Sequence, residues 1–220
     1  MSFFGNPSID FTKPIIDSQS LQEVYDLLFI AWNVVKIEST IPTGNLENKI
    51  TWRFYEAICI QKSRLTDDGA RQYIFSVHAG ESIIYNGKLL GITDIQIQFG
   101  TDERKRFAIE AKLLNKPKES NVGAYVGTEG MGRFISGKKY GIGVSKGGMM
   151  GYVLDGDTDK ARKSVTDTIE AKRLALGMLP KETLKESTIR SDVYETSHDR
   201  QTETHSSFTI YHIFLPVVSH

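Results

Sequence analysis

Cysteine is nearly absent: Cys59 is the one thiol in 220 residues. That excludes an internal disulfide and leaves no cysteine cluster for zinc. Long apolar runs are missing as well, since no stretch approaches the ~20 residues of a membrane span. The opening residues, MSFFGNPSIDFTK, lack a basic region followed by an apolar core. No secretory signal is therefore expected, and the cytoplasm is the expected compartment. Net charge is lacking too, with 27 basic residues balancing 27 acidic ones. This excludes a passive, nonspecific coat for nucleic acid, but not a protein whose carboxylate site offsets local basic patches. The five histidines, His78, His198, His205, His212 and His220, are spaced for no zinc site. Internal repeats and low-complexity segments do not occur. What remains is a composition of 40% hydrophobic and 25% charged residues, ordinary for a globular chain. Residues 1–220 read as one domain with room for a real core.

Ser20-Leu21-Gln22-Glu23 has the form of a capping box, and Leu21, Val24, Leu28, Ala31 and Val35 follow at helical spacing, predicting a helix over about 20–36. IESTIPTGN breaks it with Pro and Gly. Asn45 is placed to cap a second helix over about 46–62, with Glu47 in its first turn and Ile50, Phe54 and Ile58 facing inward. Strands are predicted near 72–78, 83–86, 92–99 and 106–113. Downstream the pattern predicts a short helix over Met131–Ser136, a strand within GYVLD, a helix over about 157–175 and a last strand over 207–216. The stretch 180–206 reads as polar and irregular. This order suits an α/β sheet flanked by helices.

The chemistry concentrates in GITDIQIQFG-TDERKR-FAIEAKLL. Two alternating runs flank a charged connection, which reads as a β-hairpin. Ile95, Ile97 and Phe99 share one face of the first strand, with Asp94, Gln96 and Gln98 on the other. Phe107, Ile109, Ala111 and Leu113 share a face of the second, leaving Glu110 and Lys112 opposite. If the apolar faces register on one side of the sheet, Asp94 lands beside Glu110 and Lys112. Two carboxylates held together call for a cation between them, and a hard ion such as Mg2+ takes oxygen ligands while keeping several waters. A lysine beside it can orient a water or stabilise charge on a phosphoryl group. The competing reading is a surface Glu–Lys pair on a solvated strand face, with Asp94 a chance neighbour.

Asp94 followed by Glu110-Ala111-Lys112 resembles the motif of the PD-(D/E)xK nuclease superfamily, with Thr93 standing where the family's name has proline. The resemblance implies a restriction-endonuclease-like mixed sheet with an antiparallel hairpin arm, flanked by helices, its core over about 45–176 and the N-terminal helix and C-terminal strand as extensions. It also implies a Mg2+- or Mn2+-dependent endonuclease acting on DNA, in a setting of restriction or anti-phage defence. Asp94 and Glu110 would be metal ligands and Lys112 the residue that positions water. Family members often add an acid from the leading helix that helps hold the metals, and Glu47, which would complete the metal shell, fits that place better than Glu56. Glu47 also reads as a first-turn glutamate stabilising the helix dipole. No separate recognition domain is visible, so a partner protein or a second copy in a homodimer would supply targeting. The alternative on the same fold is a non-catalytic module that binds nucleic acid or protein.

Gly132-Arg133-Phe134-Ile135-Ser136-Gly137-Lys138-Lys139 imitates a phosphate-binding loop, but Lys139 stands where the loop needs a Ser or Thr for Mg2+. Arg133, Lys138, Lys139 and Lys146 lie together along the chain with no acid between them, and Arg133, Lys138 and Lys139 read instead as a basic segment touching DNA phosphates, or as a solvated basic loop. Gly147-Gly148-Met149-Met150-Gly151 reads as a close-packing turn. His198 in Ser-His-Asp reads as a loop histidine and His212 as a hydrogen-bonded core residue.

Overall fold

The computed structural model describes residues 16–35, 46–67, 75–80, 82–85, 88–100, 105–115, 121–137, 140, 144–200 and 207–217. Helix α1 (Ser18–Trp32) is opened by Asp17, whose carboxylate accepts the Ser20 N–H at 2.8 Å and the Ser20 hydroxyl at 3.0 Å. The capping box expected at Ser20 is thereby replaced by an aspartate cap three residues earlier, which consumes the Ser20 side chain. Helix α2 (Leu46–Asp67) runs past its expected end and buries Ile50, Phe54 and Ile58, as their spacing predicts. The Asn45 cap lies outside the described residues.

Among the described residues the strands are β1 (Phe75–Ala79), β2 (Ser82–Tyr85), β3 (Lys88–Ile92), β4 (Ile95–Phe99), β5 (Arg106–Leu114), β6 (Lys146–Val153), β7 (Lys185–Glu186), β8 (Tyr194–Asp199) and β9 (Ser207–Pro216). The remaining helices are α3 (Val122–Val126), α4 (Met131–Ile135) and α5 (Thr158–Ala171). A seven-stranded mixed sheet has the order β1-β4-β5-β6-β9-β8-β7, and β2 and β3 form a separate hairpin. The centre, β5-β6-β9, is parallel, whereas β1, β4, β8 and β7 pair antiparallel. Helices α1 and α2 cover one face with Leu21, Tyr25, Leu28, Phe54 and Ile58. Helices α3, α4 and α5 cover the other with Tyr125, Phe134, Val165 and Ile169. Central β5 is buried along all nine residues. None of the helices among the described residues is long and apolar enough to cross a membrane.

Three expectations change. The 207–216 strand is not an extension: β9 lies between β6 and β8, so the sheet cannot close over 45–176 alone. The stretch 180–206 holds β7 and β8. It escapes a hydrophobic pattern because the inward residues of β8 are polar: Thr196 and His198 are fully buried. The glycines at 147, 148 and 151 lie within β6 rather than in a turn. A Cβ on Gly147 would come within 2.6 Å of the Phe134 ring, and one on Gly148 within 3.1 Å of Phe107 and Ile109. The glycines leave room for those rings. Gly147→Val should therefore destabilise the protein by roughly 3 kcal/mol through overpacking, which urea unfolding will measure.

The buried polar face of β8 is satisfied by a chain of hydrogen bonds. His198 Nδ1 lies 2.8 Å from the Leu176 carbonyl and must carry the proton. Its Nε2 then accepts from Thr196 Oγ1 at 2.7 Å. Thr196 Oγ1 accepts from His212 Nε2 at 2.9 Å, leaving His212 Nδ1 to accept from the Tyr125 hydroxyl at 3.1 Å. His198 is therefore a core residue and not a loop histidine. Both rings are neutral: burial pushes the pKa of His198 down to about 4 and that of His212 down to about 3.

Candidate active site

The β4–β5 register pairs Ile95 with Ile109 and Ile97 with Phe107. One step beyond, Asp94 stands opposite Glu110, and alternation puts Asp94, Glu110 and Lys112 on one face of the sheet. Their neighbours Ile95, Ile97, Ile109 and Ala111 are buried on the other face with α1 and α2. Past Ile109 the β4 side of β5 has no partner strand among the described residues, and its amides turn to carboxylates instead. Asp94 Oδ2 accepts the Ala111 N–H at 2.7 Å, and Glu47 Oε2, from the first turn of α2, accepts the Leu113 N–H at 3.1 Å. Asp94 is not inside a long strand as expected. It sits in the break between β3 and β4, where its side chain takes over from the ladder.

Lys112 Nζ is fully engaged, donating to Glu110 Oε1 at 2.7 Å, to Glu47 Oε1 at 3.1 Å and to the Ala111 carbonyl at 2.8 Å. In an extended strand the N–H and C=O of one residue point the same way. The Ala111 carbonyl therefore faces the side where its N–H meets Asp94, and an oxygen cluster forms around the ammonium. Arg133 Nη1 donates to the other oxygen of Glu110 at 3.0 Å and to the Tyr140 hydroxyl at 2.7 Å. Arg133 Nη2 meets Glu129 at 2.7 Å, and the Tyr140 hydroxyl in turn donates to the Ile92 carbonyl.

The Glu110 side chain is 1% exposed. Burial, then the charge of Asp94, push its pKa up to about 7 despite the nearby Lys112 and Arg133. Burial also raises Asp94, with the Ala111 N–H and Lys112 pulling the other way. Burial works to lower the Lys112 pKa, but the charge and hydrogen bond of Glu110 outweigh it and hold the pKa above its ordinary value. Lys112 is consequently a charged donor at neutral pH and not a base.

No family model matches the chain, and neither does any curated protein or solved structure. The site is thus read from its own geometry. Asp94, Glu110, Lys112 and Glu47 come together from β5, the β3–β4 break and the start of α2. Glu56 lies on the exposed side of α2. Arg133 belongs to this cluster and not to an outer basic loop, because α4 aims it at Glu110. Lys146 is no neighbour of Arg133: its amine donates to the Ile16 carbonyl at 2.8 Å on the α1 side of the sheet. Lys138 and Lys139 lie outside the described residues. Tyr140 and the Ala111 carbonyl were not foreseen. A tyrosine inside GKKYG gives no periodic signal, and a main-chain carbonyl gives none at all.

Among the described residues no group of three or more His, Cys, Asp or Glu side chains stands close enough to hold an ion. A hard ion asks for less, one or two carboxylates with water completing the shell. Asp94, Glu110 and Glu47 carry three negative charges when ionised, against two positive ones on Lys112 and Arg133. Burial first and the Asp94 charge second raise the Glu110 pKa, and a divalent cation beside the two carboxylates would favour their ionised forms. The donor set therefore fits Mg2+ or Mn2+ on Asp94 and Glu110, and it does not fit a site that needs three nitrogen or sulfur ligands.

Proposed function

We propose that this chain is a restriction-endonuclease-like, metal-dependent nuclease that hydrolyses phosphodiester bonds of DNA. The observation that carries the reading is the meeting of Glu110, Glu47 and the Ala111 carbonyl around the Lys112 ammonium, with Asp94 bound next to it on the Ala111 N–H; Asp94, Glu110 and Lys112 follow the order and spacing of the PD-(D/E)xK motif they resemble. Asp94 and Glu110 would hold Mg2+ or Mn2+. When bound, the ion supplies Lewis acidity toward a phosphoryl oxygen and makes a water easier to deprotonate. Lys112, charged at neutral pH, stabilises charge growing on the phosphoryl oxygens, and by giving up one of its three acceptors it would orient the attacking water. Glu47 holds Lys112 in line while capping the Leu113 N–H. The setting in restriction or anti-phage defence follows from the resemblance; the cytoplasm as the compartment and a targeting partner or second copy come from the sequence.

One observation favours a second reading, a non-catalytic module that binds nucleic acid or protein. Both Glu110 oxygens are already paired with cations of the chain itself. Activity separates the two readings. Purified protein with Mg2+ or Mn2+ should nick or cut plasmid DNA, and EDTA should abolish cutting. A protein that binds DNA but leaves it intact with both ions would favour the module.

A further inference from the structure

Glu110 is held from two sides, and the two holds are unequal. Lys112 grips one oxygen from its own strand and is tied as well to Glu47 and to the Ala111 carbonyl. Arg133 grips the other oxygen at 3.0 Å from α4, a helix of only five residues. Its side chain is 20% exposed, and its second carboxylate partner, Glu129, is 63% exposed. Arg133 Nε is buried and has no hydrogen-bond partner among the described residues. A buried N–H left unpaired costs stability until a partner reaches it. An arginine meeting a phosphate uses two parallel N–H donors, Nε among them, so an incoming phosphate would give Nε the partner it lacks.

Resting on the nuclease reading, we propose that Arg133 is a substrate-responsive clamp on Glu110. In the DNA-free protein its guanidinium covers the Glu110 oxygen that the ion would take. When DNA enters, the guanidinium passes to a backbone phosphate and Glu110 is released to the ion. Lys112 stays in place throughout, and Tyr140, anchored to the Ile92 carbonyl, keeps Arg133 within reach of both partners. Arg133 thus acts on the reaction through Glu110, as a positioning residue, and DNA and ion each tighten the binding of the other by one factor.

Ion binding, not turnover, tests this. Mn2+ is titrated at neutral pH into the protein with and without a saturating short DNA duplex of mixed sequence, in the cold, and the free ion is read by its EPR signal. DNA should tighten Mn2+ binding to the unaltered protein by roughly tenfold or more, which corresponds to about 1.4 kcal/mol. Arg133→Gln should bind Mn2+ that tightly without DNA, with DNA then adding less than about twofold. Arg133→Lys, which keeps the charge but loses the fork, should recover part of the DNA dependence. Arg133→Met gives a second folded neutral form should the glutamine variant lose its circular-dichroism signature. If the neutral variants match the unaltered protein in both titrations, the clamp is overturned, while Mn2+ binding lost in Asp94→Asn would still uphold the nuclease reading. If no form binds Mn2+ with or without DNA, the metal reading falls and takes the clamp with it.

Discussion

Lys112→Ala is expected to lower the rate of DNA cleavage by roughly 10²–10⁴-fold, the usual scale for losing a positioned catalytic group. Ion binding should survive the change, and tighten if anything, because the carboxylates of Asp94 and Glu110 remain and a competing cation is gone. Asp94→Asn should behave differently. Its amide oxygen can still accept the Ala111 N–H, so stability holds, but one charged ligand is lost and both ion binding and cleavage should collapse. Asp94→Ala adds a cost of about 1–2 kcal/mol, because the Ala111 N–H is left facing the open edge of β5 unsatisfied. Single-turnover cleavage, Mn2+ titration and urea unfolding on the three variants separate these roles. A Lys112→Ala protein that cuts at the normal rate would remove Lys112 from the reaction. An Asp94→Asn protein that binds Mn2+ normally would remove Asp94 from the ion.

The hairpin was legible because its information is local. Period-two alternation in β4 and β5 fixes which residues share a face, and burying both apolar faces on one side of the sheet fixes the register, so Asp94, Glu110 and Lys112 fall together on the other face. Glu47 was within reach for a related reason: a first-turn acid on the helix before the sheet is positioned by the chain path. Arg133 was placed near phosphates but not on Glu110, because that contact depends on how α4 packs across the sheet, and no spacing records it. Tyr140, Thr196 and His198 were lost in stretches that look polar and irregular. Buried polar residues erase the apolar alternation on which strand recognition depends, so β8 and its hydrogen-bond chain were hidden by their own chemistry. The central place of β9 was hidden as well, since a parallel partner far along the chain leaves no mark in local pattern.

Those hidden histidines and Glu110 act on the pH response of stability with opposite sign, and burial shifts Asp94 in the same direction as Glu110. His198 and His212 are neutral in the fold, with pKa values of about 4 and about 3, whereas in the unfolded chain an ordinary histidine titrates near 6.5. Their contribution to stability is complete above about pH 6.5 and is lost as the pH falls toward the folded values. Glu110 is shifted the other way, up to about 7 from its ordinary 4.5. It holds a proton in the fold that the unfolded chain has released, so its effect favours the fold below its unfolded pKa and fades as pH rises through 7. Between about pH 5 and 6 unfolding should thus take up two protons at the histidines and release one at Glu110, a net uptake of one. Stability should fall by roughly 1.4 kcal/mol per pH unit on acidification through that window. Glu110→Gln removes the opposing proton, and its stability should fall about twice as steeply. The carboxylates that the fold stabilises, Asp17, Asp155 and Glu170, have lowered pKa values and titrate mostly below this window. Urea unfolding at several pH values on the two proteins measures both slopes. Equal slopes would mean that Glu110 is ionised across the window, and that Lys112 and Arg133 offset its burial completely. A slope near zero in Glu110→Gln would instead overturn the neutral Tyr125–His212–Thr196–His198 chain, since two uncharged buried imidazoles cannot leave stability indifferent to acid.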